Sequence, residues 1–276
     1  MTWLLLRLRQ ASKVVGRFGS SFHGHLGPIE FPTPILFVTA ENLSSHVWDK
    51  QVQSLRYSGY NCVVFSPDTA INTCVDDVAN SLYTTIQHHK LTPPIMVSHS
   101  FSTLVCQRYL ESYPALGLIM INPIPPNPIR VIHKIKNSVL YKSDAVQRFH
   151  FLKAHFQLSM PDNQCKNLVK NCGENGYGYE SESRKFPLYV ENLIKDDEEN
   201  VHNFINVESF ACPILAITTS GDNHLLGKED IDDMKSFYDL MDDGYRHLSS
   251  CESRAPMIES FTEINETVTE FIDGVA

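Results

Sequence analysis

The stretch Pro94-Ile95-Met96-Val97-Ser98-His99-Ser100-Phe101-Ser102-Thr103-Leu104-Val105 decides the fold, because its apolar period changes in the middle. Ile95 to Val97 is a short unbroken apolar run, the pattern of a strand covered on both faces. From Phe101 to about Glu111, Leu104, Val105 and Leu110 recur at helical spacing. A strand that becomes a helix within so few residues must pass through a tight bend. Such a bend presses its flanks against strand and helix and so requires small residues there, which Ser98 and Ser102 supply. Ser100 stands at the tip.

Outward from this point the same alternation repeats. Ile35 to Val38, Cys62 to Phe65, Leu116 to Ile121 and Ile214 to Thr218 read as further buried strands, and Tyr245 to Leu248 as a short one. Between them, Ser44 or Ser45 caps a helix carrying Val47, Trp48, Val52 and Leu55 that stops at Ser58-Gly59. Val75, Val78, Leu82 and Ile86 give a second helix up to His89, and Ile231 to Leu240 another. A final helix is expected from Met257 to Ile272, its stripe formed by Ile258, Phe261, Ile264, Val268, Phe271 and Ile272. Strands alternating with helices predict an α/β protein: a mainly parallel sheet of about six strands with helices on both faces. Residues 123–208 break the rhythm with Pro123, Pro125, Pro126 and Pro128 and the loop Asn171 to Tyr179, which reads as an inserted helical cap. The expected domains are a leader or docking segment, 1–30, and one body, 31–276.

Several segments, in order, resemble the α/β-hydrolase-fold family of serine esterases and lipases. Val97-Ser98-His99-Ser100-Phe101-Ser102 is similar to the family's nucleophile elbow, usually written G-x-S-x-G. ILFVTAENLSSHVW, Ile35 to Trp48, resembles the first conserved strand with its following helix, and YNCVVFSPD, Tyr60 to Asp68, the next strand. PILAITTSGD, Pro213 to Asp222, resembles the strand and turn that deliver the acid, and CESRAPMIE, Cys251 to Glu259, the segment that delivers the histidine. The resemblance runs from about residue 33 to the C-terminus.

It implies Ser100 at the nucleophile position and Asp222 at the acid position. The base departs from the pattern: Arg254 stands where the family has histidine, and an arginine cannot accept a proton near neutral pH. Arg254 is instead suited to a bidentate ion pair with Asp222, a structural contact in place of a catalytic one. Among the other histidines, His99 is expected to project away from the hydroxyl, His224 lies two residues beyond Asp222, and His247 falls within a strand. Each reads as a packing or surface histidine ahead of a displaced base. The oxyanion side has changed as well. Thr39-Ala40 replaces the family's His-Gly, leaving the backbone N–H groups of Glu41 and Phe101 as donors, with a carboxylate beside them that opposes an oxyanion.

Composition limits the remaining possibilities. The 276 residues are 42% hydrophobic, enough for one large core without metal or disulfide. Seven cysteines form an odd set without a C-x-x-C pair, so no zinc site, metal or other cofactor is expected. Residues 1–29 carry Arg7, Arg9, Lys13 and Arg17 and no acid, leaving 19 basic and 32 acidic residues beyond. So acidic a body disfavours extensive nucleic-acid contact. The basic, Ser- and Leu-containing head has the composition of a mitochondrial transit peptide, the alternative being an amphipathic helix docked on a partner or membrane surface through residues 1–20.

Three functions are consistent with these features. The first is a non-catalytic accessory subunit of a mitochondrial assembly, such as a respiratory complex, ATP synthase or ribosome. The second is an active ester or thioester hydrolase using Ser100 and Asp222 with a displaced base. The third is a non-catalytic receptor for a small ligand.

Overall fold

A computed structural model describes residues 30–39, 45–67, 74–91, 93–125, 210–220, 244–248 and 251–275. Residues 1–29 of the leader, 126–208 of the cap and the helix expected at Ile231 to Leu240 lie outside the described residues. In chain order the elements are β1 (Phe31–Val38), a 3₁₀ turn (Ser45–Trp48), α1 (Asp49–Tyr57), β2 (Tyr60–Phe65), α2 (Val75–His89), β3 (Ile95–His99), α3 (Ser102–Leu110), β4 (Gly117–Ile121), β5 (Ile214–Thr219), β6 (Tyr245–Leu248), α4 (Pro256–Glu259) and α5 (Phe261–Val275). The strands form one six-stranded sheet in the order β2-β1-β3-β4-β5-β6, and every pairing is parallel. The expected parallel α/β sheet is therefore present.

The middle of the sheet is the core. Ile35 to Val38, Ile95 to Val97 and Leu118 to Ile121 are fully buried, as strands sandwiched between helix layers must be. Helix α2 packs on α3, and α1 on α5. Phe37 and Trp48, rings 5.3 Å apart, fill the space under α1. Gln51 secures the same layer from inside, donating from Nε2 to the Met257 oxygen at 2.9 Å.

Several boundaries differ from expectation: the helix expected to be capped by Ser44 or Ser45 opens as the 3₁₀ turn, with Trp48 and no serine at the N-cap of α1, and β2 starts at Tyr60, ahead of Cys62. Strand β1 begins at Phe31, not Ile35: Phe31 pairs with Tyr60, and the register shifts before Pro34. β3 joins only from Ile35 onward, so Pro32 and Pro34 precede the stretch paired on both sides, where a missing N–H is tolerated. The last helix is two helices. The chain leaves helical geometry at Ser260 (φ −123°, ψ 39°), after a one-turn α4 started by Pro256. The break turns the apolar stripe: Ile264, Val268 and Ile272 are buried, while Phe261 is 38% exposed beneath the Lys50 ammonium. None of the described helices is long and apolar enough to cross a membrane.

Candidate active site

The polar residues that matter sit at the carboxyl ends of β3, β4 and β5, the edge at which parallel α/β sheets build their sites. Ser100 joins β3 to α3 with φ 53°, in the left-handed region that non-glycine residues rarely occupy. Its backbone is held from both sides. Its N–H donates to the Ile121 oxygen (3.1 Å), and its own oxygen accepts from the Thr103 N–H (3.0 Å) and Thr103 Oγ1 (2.6 Å). The surroundings over-determine a strained conformation, as they must where a side chain is forced out at a tip.

The flanking serines contribute more than small size. Both are buried. Ser98 Oγ donates to the Ile119 oxygen. Ser102 Oγ lies 2.8 Å from the Val38 oxygen and accepts the His99 N–H at 2.9 Å, fastening the elbow to the end of β1. Two glycines would leave those groups without these partners.

Arg254 is carried in by a segment pinned to three strand ends. Its main-chain oxygen accepts from His99 Nε2 at 2.7 Å and from Asn122 Nδ2 at 3.1 Å. Asn122, with φ 43°, also exchanges bonds with Thr219, accepting the Thr219 N–H on Oδ1 and donating to its Oγ1. Thr219 Oγ1 in turn donates to the Ser253 oxygen at 2.9 Å, and Ser220 Oγ to the Cys251 oxygen. The guanidinium side chain is buried at 1% exposure. No histidine is supplied from this segment.

His99 is the imidazole next to the elbow, and it is fully enclosed. Because a carbonyl only accepts, the bond to Arg254 fixes the proton on Nε2. Burial, opposed by that hydrogen bond, lowers its pKa to about 3. The ring is therefore neutral near pH 7, and its protonated form is too acidic for useful base catalysis. Two buried thiols are equally inert as nucleophiles: burial pushes both Cys62 and Cys106 up to about 12.

The structure thus brings Ser100, Phe101 and Arg254 to one end of the sheet. Phe101 is the N-cap residue of α3. Asp222, Glu41 and His224 lie outside the described residues, and His247 is within β6 as expected. The tie formed by His99, Asn122 and Thr219 was missed in the sequence, although a polar residue at the end of each of three neighbouring strands was there to be noticed.

A parallel sheet with a left-handed serine between its third strand and the next helix defines the α/β-hydrolase fold, and this chain has it. Solved structures agree. The esterase EaEST from Exiguobacterium antarcticum matches with TM-score 0.62 at 13% identity, over 87% of this chain and 92% of that one. A bromoperoxidase from Bacillus anthracis gives 0.64 at 13% identity, over 88% and 92%. A membrane phospholipase A described as a bacterial virulence factor gives 0.63 at 15%, over 90% and 81%. No family model and no curated protein matches the chain.

Proposed function

We propose that the protein is a non-catalytic α/β-hydrolase-fold protein, kept for its surface as an accessory subunit of a mitochondrial assembly. The observation that carries this reading is the burial of Arg254, which in the sequence stands where the resembled family has its histidine, with its main chain held by His99 and Asn122. A guanidinium cannot take the serine proton, and the enclosed His99 is too weak a base to replace the missing one. In a serine hydrolase of similar logic, loss of the histidine lowers turnover by about 10⁶. The acid-free basic leader supports the mitochondrial part.

A fluorophosphonate probe tests the chemistry. The expected result is no stoichiometric labelling of Ser100 over hours, and rapid labelling abolished by Ser100→Ala would overturn the reading. A reporter fused to residues 1–30 tests the address, with a purely cytosolic signal counting against it. Native electrophoresis tests the assembly, since migration only as a 31.3 kDa monomer removes the subunit role.

One observation favours a second reading, a working serine ester hydrolase with a displaced base such as His224. Ser100 retains its left-handed strain, and strained serines of this kind persist where the hydroxyl is used. The same labelling experiment separates the two readings.

A further inference from the structure

The chain that leaves β4 reads Asn122-Pro123-Ile124-Pro125-Pro126-Asn127. Proline has no main-chain N–H, so Ile124 carries the only one between Asn122 and Asn127. That N–H is spent on a side chain of α3, donating to Thr103 Oγ1 at 3.0 Å. The Ile124 oxygen accepts from Gln107 Nε2 at 3.3 Å, one helical turn further along the same helix. Both polar groups of one residue are thus hooked onto α3, and Ile124, Thr103 and Gln107 are all fully buried.

The same Thr103 hydroxyl serves the elbow. A hydroxyl has one proton, and with a lone pair receiving Ile124 that proton goes to the Ser100 oxygen at 2.6 Å, which the Thr103 N–H also reaches at 3.0 Å. The result is one chain of donors, Ile124 N–H to Thr103 O–H to the Ser100 oxygen, in which each bond polarises the next. On the other side, the Ser100 N–H is held by the oxygen of Ile121, the last residue of β4. The end of β4 and the segment that leaves it therefore hold the two peptides flanking a residue at φ 53°. Pro123 and Pro125 fix their own φ and confine the residue before each, so a displacement at Pro125 reaches Ile124 with little slack.

We propose that Ile124 and Thr103 form a latch through which the segment leaving β4 sets the conformation of the Ser100 elbow. Displacing Pro125 draws the Ile124 N–H away from Thr103 Oγ1. The hydroxyl then loses the bond that directs its proton, and the Ser100 peptide relaxes out of the left-handed region. The strained serine is the latched state and the relaxed serine the released one. Thr103 is a positioning residue, and the device operates whether or not Ser100 is catalytic.

A thermodynamic cycle on the full-length protein tests the coupling. Ser100→Gly and Ser100→Ala are compared by urea unfolding with Thr103 intact, with Thr103→Ser and with Thr103→Val. With either hydroxyl present, the glycine protein is expected to be favoured over the alanine protein about fivefold in the folding equilibrium constant, which is the relief of a strained φ. Valine keeps the shape of threonine and removes the relay, and the advantage should then shrink below about twofold. If Thr103→Val weakens the glycine and alanine proteins equally and the fivefold advantage persists, Thr103 only packs and the proposal is overturned. No glycine advantage with Thr103 intact also overturns it, because there is then no strain to release. Should the valine variants fail to fold, amide exchange on the unmodified protein decides. The Ile124 amide and the Thr103 amide, which bonds the Ser100 oxygen, should show protection within about threefold of each other and about tenfold or more below that of Leu36 and Val97 in the core strands. Opening of Ile124 while Thr103 stays as protected as Leu36 sinks the latch, and so does equal protection of all four.

Discussion

The ring nitrogen Nε2 of His99 lies 2.7 Å from the main-chain oxygen of Arg254, so the strand that precedes the elbow holds in place the segment from which a base would be delivered. The residue that occupies the elbow's variable position is thus a structural clamp. Its ring is buried and neutral, and its proton is committed to one carbonyl.

This clamp makes stability depend on pH. The folded pKa of His99 is lowered to about 3 from an ordinary 6.5, so below pH 6.5 the unfolded chain binds the proton that the folded chain refuses. The contribution is complete above pH 6.5 and is lost as pH falls toward 3, at about 1.4 kcal/mol per pH unit from this residue. Urea unfolding at pH 7.5, 6.0 and 5.0 should show that slope. His99→Gln keeps a donor for Arg254 and should reduce the slope by that amount between pH 6.0 and 5.0. Equal slopes in the two proteins would show that the ring is reached by water.

The strain at Ser100 is measurable without any chemistry. Ser100→Ala and Ser100→Gly both remove the hydroxyl, and only glycine adopts φ 53° without a steric penalty. The glycine variant should be more stable than the alanine variant by about 1 kcal/mol in chemical denaturation. If alanine proves as stable as glycine, the elbow relaxes on substitution and the strain is not imposed by its surroundings.

Much of this was legible in the sequence, for identifiable reasons. Ile35 to Val38, Ile95 to Val97 and Leu118 to Ile121 are apolar runs because both faces are covered, and runs of that kind survive any detail of packing. The start of β1 was hidden because Pro32 and Pro34 interrupt the apolar run that marks a strand, and only the one-sided pairing makes them acceptable there. The break at Ser260 was hidden because Ile258 to Ile272 keeps a helical period across it. At the site, the strand-to-helix turn that carries Ser100 was legible from the change of apolar period around it. The role of His99 was not, because a hydrogen bond across 155 positions leaves no local signature.

Asn122 should be the most sensitive polar residue of the site. Its amide serves Thr219 and the Arg254 oxygen, and its φ of 43° suits asparagine better than alanine. Asn122→Ala should destabilise by about 3 kcal/mol, from unsatisfied buried partners together with backbone strain. Asn122→Gly relieves the strain alone and should recover about 1 kcal/mol of that loss. A loss below 1 kcal/mol for the alanine variant would mean that water enters and replaces the amide.

A buried arginine such as Arg254 cannot act as a base near neutral pH. A guanidinium at 1% exposure requires compensation, and the sequence offers Asp222, which the resemblance puts at the acid position, as a candidate counter-ion. If the two form a pair, removing either one leaves a buried charge, so Arg254→Met and Asp222→Asn should each destabilise by about 3 kcal/mol. The double variant leaves no such charge and should lose far less than the two single losses combined. The cycle should therefore return a coupling of about 2 kcal/mol or more in urea unfolding at pH 7.5. Simple additivity would show that Arg254 is compensated elsewhere. It would also leave Asp222 available to orient a histidine, which is what the displaced-base reading needs. The cycle thus measures, through stability alone, whether the acid of a serine hydrolase has been converted into the partner of a structural arginine.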